Sequence, residues 1–132
     1  MSDSMRLEFP GGLRVTAHYE GFQIATDQAT DDGGDGSAPQ PYDLFLASLA
    51  TCAGFYVLRF CQKRDLATSG LEVVQRWRRD EKTRRLEEVR VEITLPEGFP
   101  EKYRGAVVRA AEQCSVKKTL ADPPDIEVAL TE

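Results

Sequence analysis

The stretch YDLFLASLATCAGFYVLRFCQK, residues 42–63, decides how the rest of the chain is read. Pro39 and Pro41 punctuate its approach, Asp43 lies in its first turn, and Arg59, Lys63 and Arg64 stand at its end. That order of charges suits a helix dipole, and the sequence predicts a helix from about Tyr42 to Lys63. Apolar or small side chains occupy every side of it, from Leu44 and Phe45 through Ala50, Cys52 and Ala53 to Val57, Leu58 and Phe60. A helix without a polar stripe has to be covered all round. One small domain lacks the material for that cover, so an intimate homodimer is expected. The longest run without formal charge, Leu44 to Leu58, is too short to span a bilayer and contains Ser48, Thr51 and Gly54, which predicts a buried helix and no membrane partner.

Upstream, Leu7 to Phe9, Leu13 to Tyr19 and Phe22 to Thr26 are short β-prone stretches separated by Pro10-Gly11-Gly12 and Glu20-Gly21, the pattern of an antiparallel meander. Thr30 to Pro39 follows with turn-forming residues and almost nothing to bury. A calcium loop counted from Asp31 would find Gly33 at its third position and Tyr42 at its twelfth, so two oxygen ligands are missing. Downstream, Leu71 to Arg79 and Leu86 to Leu95 alternate as the two strands of a long hairpin joined by the charged segment Asp80 to Arg85. Tyr103, Ala106, Val107, Ala110 and Ala111 then recur at helical spacing, Ser115 to Ala121 can form further turns before Pro123-Pro124, and Ile126 to Leu130 reads as a last strand. The expected class is α+β in a single domain, residues 1–132.

With 132 residues, 41% of them hydrophobic and 30% charged, the composition is that of an ordinary globular domain. A net charge of −5 argues against a phosphate-binding surface, so no nucleic-acid partner is expected. The basic stretch Arg76 to Arg85 is interrupted by Trp77, Asp80, Glu81 and Thr83 and reads as an exposed hairpin end. The start, Met-Ser-Asp-Ser-Met-Arg, carries no apolar stretch of signal-peptide type, and a reducing, cytoplasmic compartment is the expectation. There, three cysteines read as free or catalytic thiols, not as a disulfide framework.

The cysteines admit two readings. Free cysteine is commonly a small buried side chain, whereas Ser48, Ala50, Thr51, Ala53 and Gly54 leave room around Cys52 that a packing site would fill with Leu or Ile. Cys61, nine residues on, falls on the opposite side of the same helix and cannot pair with Cys52 within it. Cys114 falls between two helical segments. If the second is a separate helix, its N-terminus favours a thiolate at Cys114, with Lys117 and Lys118 adding to the effect. His18, the one histidine, sits in a predicted strand and reads as an ordinary β residue. No metal-ligand cluster, phosphate loop or nucleophile elbow is present in the sequence.

The segment Ala38-Pro39-Gln40-Pro41-Tyr42-Asp43-Leu44-Phe45-Leu46-Ala47-Ser48-Leu49-Ala50-Thr51-Cys52, with Ala111-Glu112-Gln113-Cys114-Ser115-Val116, resembles the osmotically inducible protein C and organic hydroperoxide resistance (OsmC/Ohr) family. The order of elements, with Asp27 before the glycine-rich loop, follows that family over almost the whole chain. The resemblance implies a swapped, intertwined homodimer around central cysteine helices. It also implies a peroxidase in which a hydroperoxide oxidises Cys52, Cys114 resolves it as a disulfide, and a thiol or lipoyl-type dithiol restores it, with no metal or organic cofactor. Arg14 is the nearest candidate for the arginine of the better-known branch, with Arg6 behind it. The glutamate which that branch carries ten residues before the cysteine is Tyr42 here, and Asp43 is turned away from Cys52 as a first-turn helix acid. The chain therefore resembles the broad OsmC-like branch. The alternatives to a peroxidase are a small-ligand-binding or redox-sensing protein without turnover, and a degenerate member with inert cysteines.

Overall fold

The computed structural model describes residues 3–131. They divide into two compact units, residues 1–47 and 48–132, with one helix continuing from the first into the second.

In the first unit β1 (Arg6–Gly11), β2 (Arg14–Tyr19) and β3 (Phe22–Thr26) form an antiparallel sheet in that order. The hairpin between β2 and β3 pairs Tyr19 with Phe22 and leaves Glu20 and Gly21 at φ 49° and 83°, the two positive φ values that a two-residue turn demands. The glycine-rich loop then closes round one side chain. Asp27 is 1% exposed. Its Oδ1 accepts the Gln28 amide at 2.7 Å, and its Oδ2 accepts the amides of Asp35 and Ser37 at 3.3 and 3.0 Å and the Ser37 hydroxyl at 2.6 Å. A Cβ on Gly34 would lie 2.1 Å from the Gln28 carbonyl oxygen, so backbone approach requires glycine there. The loop is thus built round a carboxylate. Among the described residues no group of three or more His, Cys, Asp or Glu is placed to hold a metal ion.

The long helix α1 (Pro41–Lys63) starts one residue before the predicted position because proline suits the first helical turn. Asp43 ties down that start by accepting the Gln40 amide at 2.9 Å, as a first-turn acid should. Within one chain the helix is not buried all round. Leu46, Ala53, Val57, Phe60 and Cys61 are buried, while Tyr42, Phe55 and Leu58 are exposed. The completed helix, extending past the uncharged run, is also long and apolar enough by length and composition to cross a membrane, which corrects the expectation of a segment too short to do so. The same description fits a core helix, and the second unit packs on it as one.

There, β4 (Glu72–Arg79) and β5 (Leu86–Thr94) pair antiparallel from Glu72 opposite Thr94 to Arg79 opposite Leu86. Arg76 meets Glu92 at 2.8 Å and Arg78 meets Glu87 at 2.6 Å, so the basic stretch is partly answered across the hairpin by carboxylates. After a 3-10 turn (Glu101–Tyr103) come α2 (Arg104–Ala111) and α3 (Ser115–Ala121). Val57, Phe60 and Val107 form the buried core, with Leu71, Ile93 and Tyr103 packed against it.

The strand expected at Ile126 to Leu130 does not form. The residues have strand-like alternation, but a strand needs a neighbouring ladder for its amides and carbonyls. No strand is assigned beyond β5 among the described residues, and Ile126, Val128 and Leu130 are 86%, 96% and 98% exposed.

The Ser37 hydroxyl and the Ser37 and Gln28 amides hold the Asp27 carboxyl at about 2, below its ordinary 3.8, against the opposing effect of burial. A carboxyl lowered on folding stabilises the protein above its unfolded value and loses that contribution as pH falls through the folded one. Thermal melting of wild type and Asp27→Asn should differ most near neutrality, with the difference closing between about pH 4 and pH 2. A difference that does not change with pH would remove Asp27 from this role.

Candidate active site

The site is assembled by the join between α2 and α3. The Gln113 and Cys114 amides donate to the Ala110 and Ala111 carbonyls at 3.0 and 3.3 Å, closing the end of α2. Cys114 then leaves the helical conformation, at φ −47° and ψ 120°, and becomes the N-cap of α3, its sulfur accepting the Lys117 amide at 3.5 Å. This capping fixes a side chain that is only 2% exposed.

The same turn delivers Ser115 to the middle of α1. Its hydroxyl oxygen lies 3.6 Å from the Cys52 sulfur across a separation of 63 residues. Cys52 is half-buried and is also hydrogen-bonded by the Cys114 thiol and by the Ser115 and Val116 amides. Both predicted thiols therefore meet at one point, and both are free.

Their surroundings drive the two thiols apart in acidity. Burial pushes Cys52 up, but the Cys114 thiol, the Ser115 hydroxyl and the two amides outweigh it and bring the group down to about 7 from an ordinary 9.0. Cys114 moves up. Burial is the main cause, the Lys117 amide opposes it, and donation to a neighbouring Cys52 thiolate keeps the proton on Cys114. The expectation that the start of α3 would favour a thiolate at Cys114 is thus corrected, because burial outweighs the Lys117 and Val116 amides that favour it. Lys117 and Lys118 engage other partners: one is 3.8 Å from Glu112 and the other donates to Gln113 at 2.7 Å.

The remaining candidates have neighbours of their own. Cys61 is fully buried, and burial pushes its thiol up against a weaker opposing effect of Arg64. His18 shares a 2.9 Å contact with Glu8 on the meander. Arg14 belongs to the first unit, where its guanidinium donates to Asp35 at 2.7 Å and to Ser37 at 3.2 Å, with Asp27 at 4.0 Å. Tyr42 stacks at a tilt on Phe45, their centroids 5.3 Å apart. The carboxylates that answer Arg14 thus come from the glycine-rich loop, which turn chemistry alone did not reveal. The sequence reading also missed Ser115, whose only signal was its position directly after Cys114.

Residues 34–129 match the family model described as OsmC-like protein. The chain belongs to the OsmC-like protein family. Both Cys52 and Cys114 lie inside the matched residues, and Arg14 lies outside them. Solved structures share the OsmC-like fold. A candidate osmotic stress induced and detoxification response protein from Psychrobacter arcticus is 25% identical, with 90% of this chain and 88% of that one covered and a TM-score of 0.75. An OsmC-like protein from Mycoplasma pneumoniae is 15% identical over 93% and 91% of the two chains, with a TM-score of 0.65. An OsmC-like hydroperoxide resistance protein from Jannaschia is 22% identical over 97% and 91%, with a TM-score of 0.55. No curated protein matches the sequence.

If the donors at Cys52 set its ionisation, its alkylation by iodoacetamide, followed by peptide mass spectrometry, should rise with a midpoint near pH 7. Cys114 and Cys61 should lag at that pH. Equal pH dependence of the three thiols would contradict the arrangement.

Proposed function

We propose that this OsmC-like chain is a thiol-dependent peroxidase that reduces organic hydroperoxides, with hydrogen peroxide as a further candidate substrate, at Cys52. The observation that carries the reading is the paired placement of an acidified Cys52 and a protonated, buried Cys114 within hydrogen-bonding reach. Environments that separate the acidities of two adjacent groups mark out which one attacks and which one keeps its proton. The hydroperoxide-resistance description of the Jannaschia structure supports the same direction.

In the first step the Cys52 thiolate attacks the terminal peroxide oxygen. An S–O bond forms as the O–O bond breaks, sulfur loses two electrons, and the alkoxide leaves and takes a proton from solvent to become the alcohol. In the second, Cys114 sulfur displaces hydroxide from the Cys52 sulfenic acid. The disulfide forms, and the Cys114 proton departs with the hydroxide as water. An external thiol or lipoyl-type dithiol then reduces the disulfide. These steps require no metal or organic cofactor. Arg14 is assigned the role of the cation that favours the developing negative charge, on its own subunit or a partner.

The experiment is peroxide consumption by the reduced protein with cumene hydroperoxide and dihydrolipoamide. Wild type and Arg14→Gln should both turn over, the variant roughly 100-fold more slowly if its donor acts on developing charge. Cys52→Ser should be inert, and Cys114→Ser should stop at a dimedone-reactive sulfenic acid. Wild-type consumption no faster than Cys52→Ser would sink the peroxidase reading and leave ligand binding or redox sensing without turnover.

The proposal includes one OsmC-like domain of residues 1–132, working in the cytoplasm as an intertwined homodimer. Support for the dimer comes from apolar side chains left exposed in a single chain: Phe9 and Phe22 on the meander, Phe55 and Leu58 on α1, and Ile126, Val128 and Leu130 beyond α3. Scattered exposed apolar groups are normal, but repeated sets on three elements favour association. Analytical ultracentrifugation should give twice the 14.7 kDa chain mass; a monomer at micromolar concentration would exclude the dimer.

A further inference from the structure

Position 42, where the resemblance would place a glutamate, is a tyrosine and supplies no carboxylate. Lys117 and Lys118 are directed to Glu112 and Gln113. What does touch the Cys52 sulfur from a side chain, apart from the Cys114 thiol, is a hydroxyl.

We infer that Ser115 is a catalytic residue whose hydroxyl holds the Cys52 sulfur as a thiolate and presents a lone pair to the incoming peroxide. The inference rests on the peroxidase reading for its second half and on geometry for its first. The Ser115 hydroxyl oxygen lies 3.6 Å from the Cys52 sulfur, a normal separation for a hydrogen bond to sulfur. The residue is exposed in the single chain. Its position does not depend on a flexible loop. Cys114 caps α3 immediately before it, and the Ser115 carbonyl accepts the Thr119 hydroxyl at 2.9 Å within the following turn.

A serine hydroxyl has one hydrogen to donate and lone pairs with which to accept. Donation to Cys52 sulfur favours the charged form, because a hydrogen bond to an anion is stronger than one to a neutral group. The lone pairs left over can accept the peroxide O–H, which orients the terminal oxygen towards the sulfur. When the S–O bond forms and the O–O bond breaks, that hydrogen stays on the oxygen now bonded to sulfur, and the departing alkoxide is protonated by solvent. The serine gains and loses no proton overall. Its hydroxyl is then free to donate to the sulfenic oxygen while Cys114, its neighbour in the chain, closes the disulfide.

A residue that merely starts α3 would affect stability alone. The test therefore reads ionisation and rate separately in Ser115→Ala, Ser115→Gly and Ser115→Thr, with thermal melting to establish folding. Removing the hydroxyl should move the Cys52 alkylation midpoint up by about one pH unit, the scale expected for one hydrogen bond to a charged group. It should also lower kcat/KM for cumene hydroperoxide at pH 6.5 by about tenfold, while Ser115→Thr keeps both near wild type. A Cys52 midpoint unchanged in either hydroxyl-free variant would overturn the inference. A shifted midpoint with wild type unable to consume peroxide would instead retain Ser115 as the thiolate's partner, overturn its part in peroxide orientation, and reject the peroxidase reading.

Discussion

The contact on which the second unit depends is the packing of Val57 and Phe60 from α1 against Val107 from α2. All three are buried, and Phe60 adds an edge-on contact with Tyr103 at 5.8 Å between ring centroids. Burial of such side chains contributes on the order of 1.5–3 kcal/mol each, enough for a few contacts to fix one helix on another. Val107 lies two turns before Cys114, and Val57 lies a little over one turn beyond Cys52. Fixing the valines against each other therefore limits where the end of α2 can go. The chemistry at the thiols is a consequence of that apolar contact, although none of its residues carries a polar group to the sulfur.

How far the sequence reveals this follows from the range of the interactions concerned. The meander, α1 and the hairpin are written in periodicity and turn residues that act over a few positions, and Glu20-Gly21 or Pro41 can be read where they stand. The thiol pair is visible as two cysteines in the segments that carry the family resemblance. Their inequality was not visible, because it depends on Ser115 and the first amides of α3 reaching a residue 63 positions away. A helix dipole argument applied locally put the thiolate at Cys114, where burial in fact dominates. The same limit hid the role of Asp27, whose environment is composed of the Ser37 hydroxyl and backbone amides from a loop with almost nothing to bury. At the other end of the chain, alternation overstated Ile126 to Leu130, since alternation records a strand's willingness to pair without naming a partner.

Hydrogen-bond donors and a cation can both raise a thiol's acidity constant, but they do so with different physical consequences. A lysine or arginine acts through charge, over distance, and is weakened by salt when exposed. Hydroxyl, thiol and amide donors act only at contact and need a fixed direction. At Cys52 the donors are contributed by three consecutive residues, Cys114, Ser115 and Val116, so one turn of backbone determines the whole set. The ionisation of this sulfur is consequently a property of the α2–α3 join more than of the protein's overall charge, which is negative and would by itself disfavour a thiolate.

That construction would also join the two halves of the proposed peroxidase cycle. A sulfenic acid that waits is open to further oxidation, whereas one beside a protonated thiol has a route to a disulfide. Cys114 gives Cys52 a hydrogen bond in the reduced state and is adjacent to it when oxidation changes that sulfur from nucleophile to electrophile. Formation of the disulfide withdraws the Cys114 thiol as a donor, and the bond can close only as far as the N-cap geometry of α3 allows the sulfur to move. The Lys117 amide, which Cys114 sulfur accepts in the reduced protein, is the cap contact most exposed to that change. In the proposed cycle oxidation of the pair is therefore coupled to the first turn of α3, and reduction by an external thiol would restore the cap together with the donor set at Cys52.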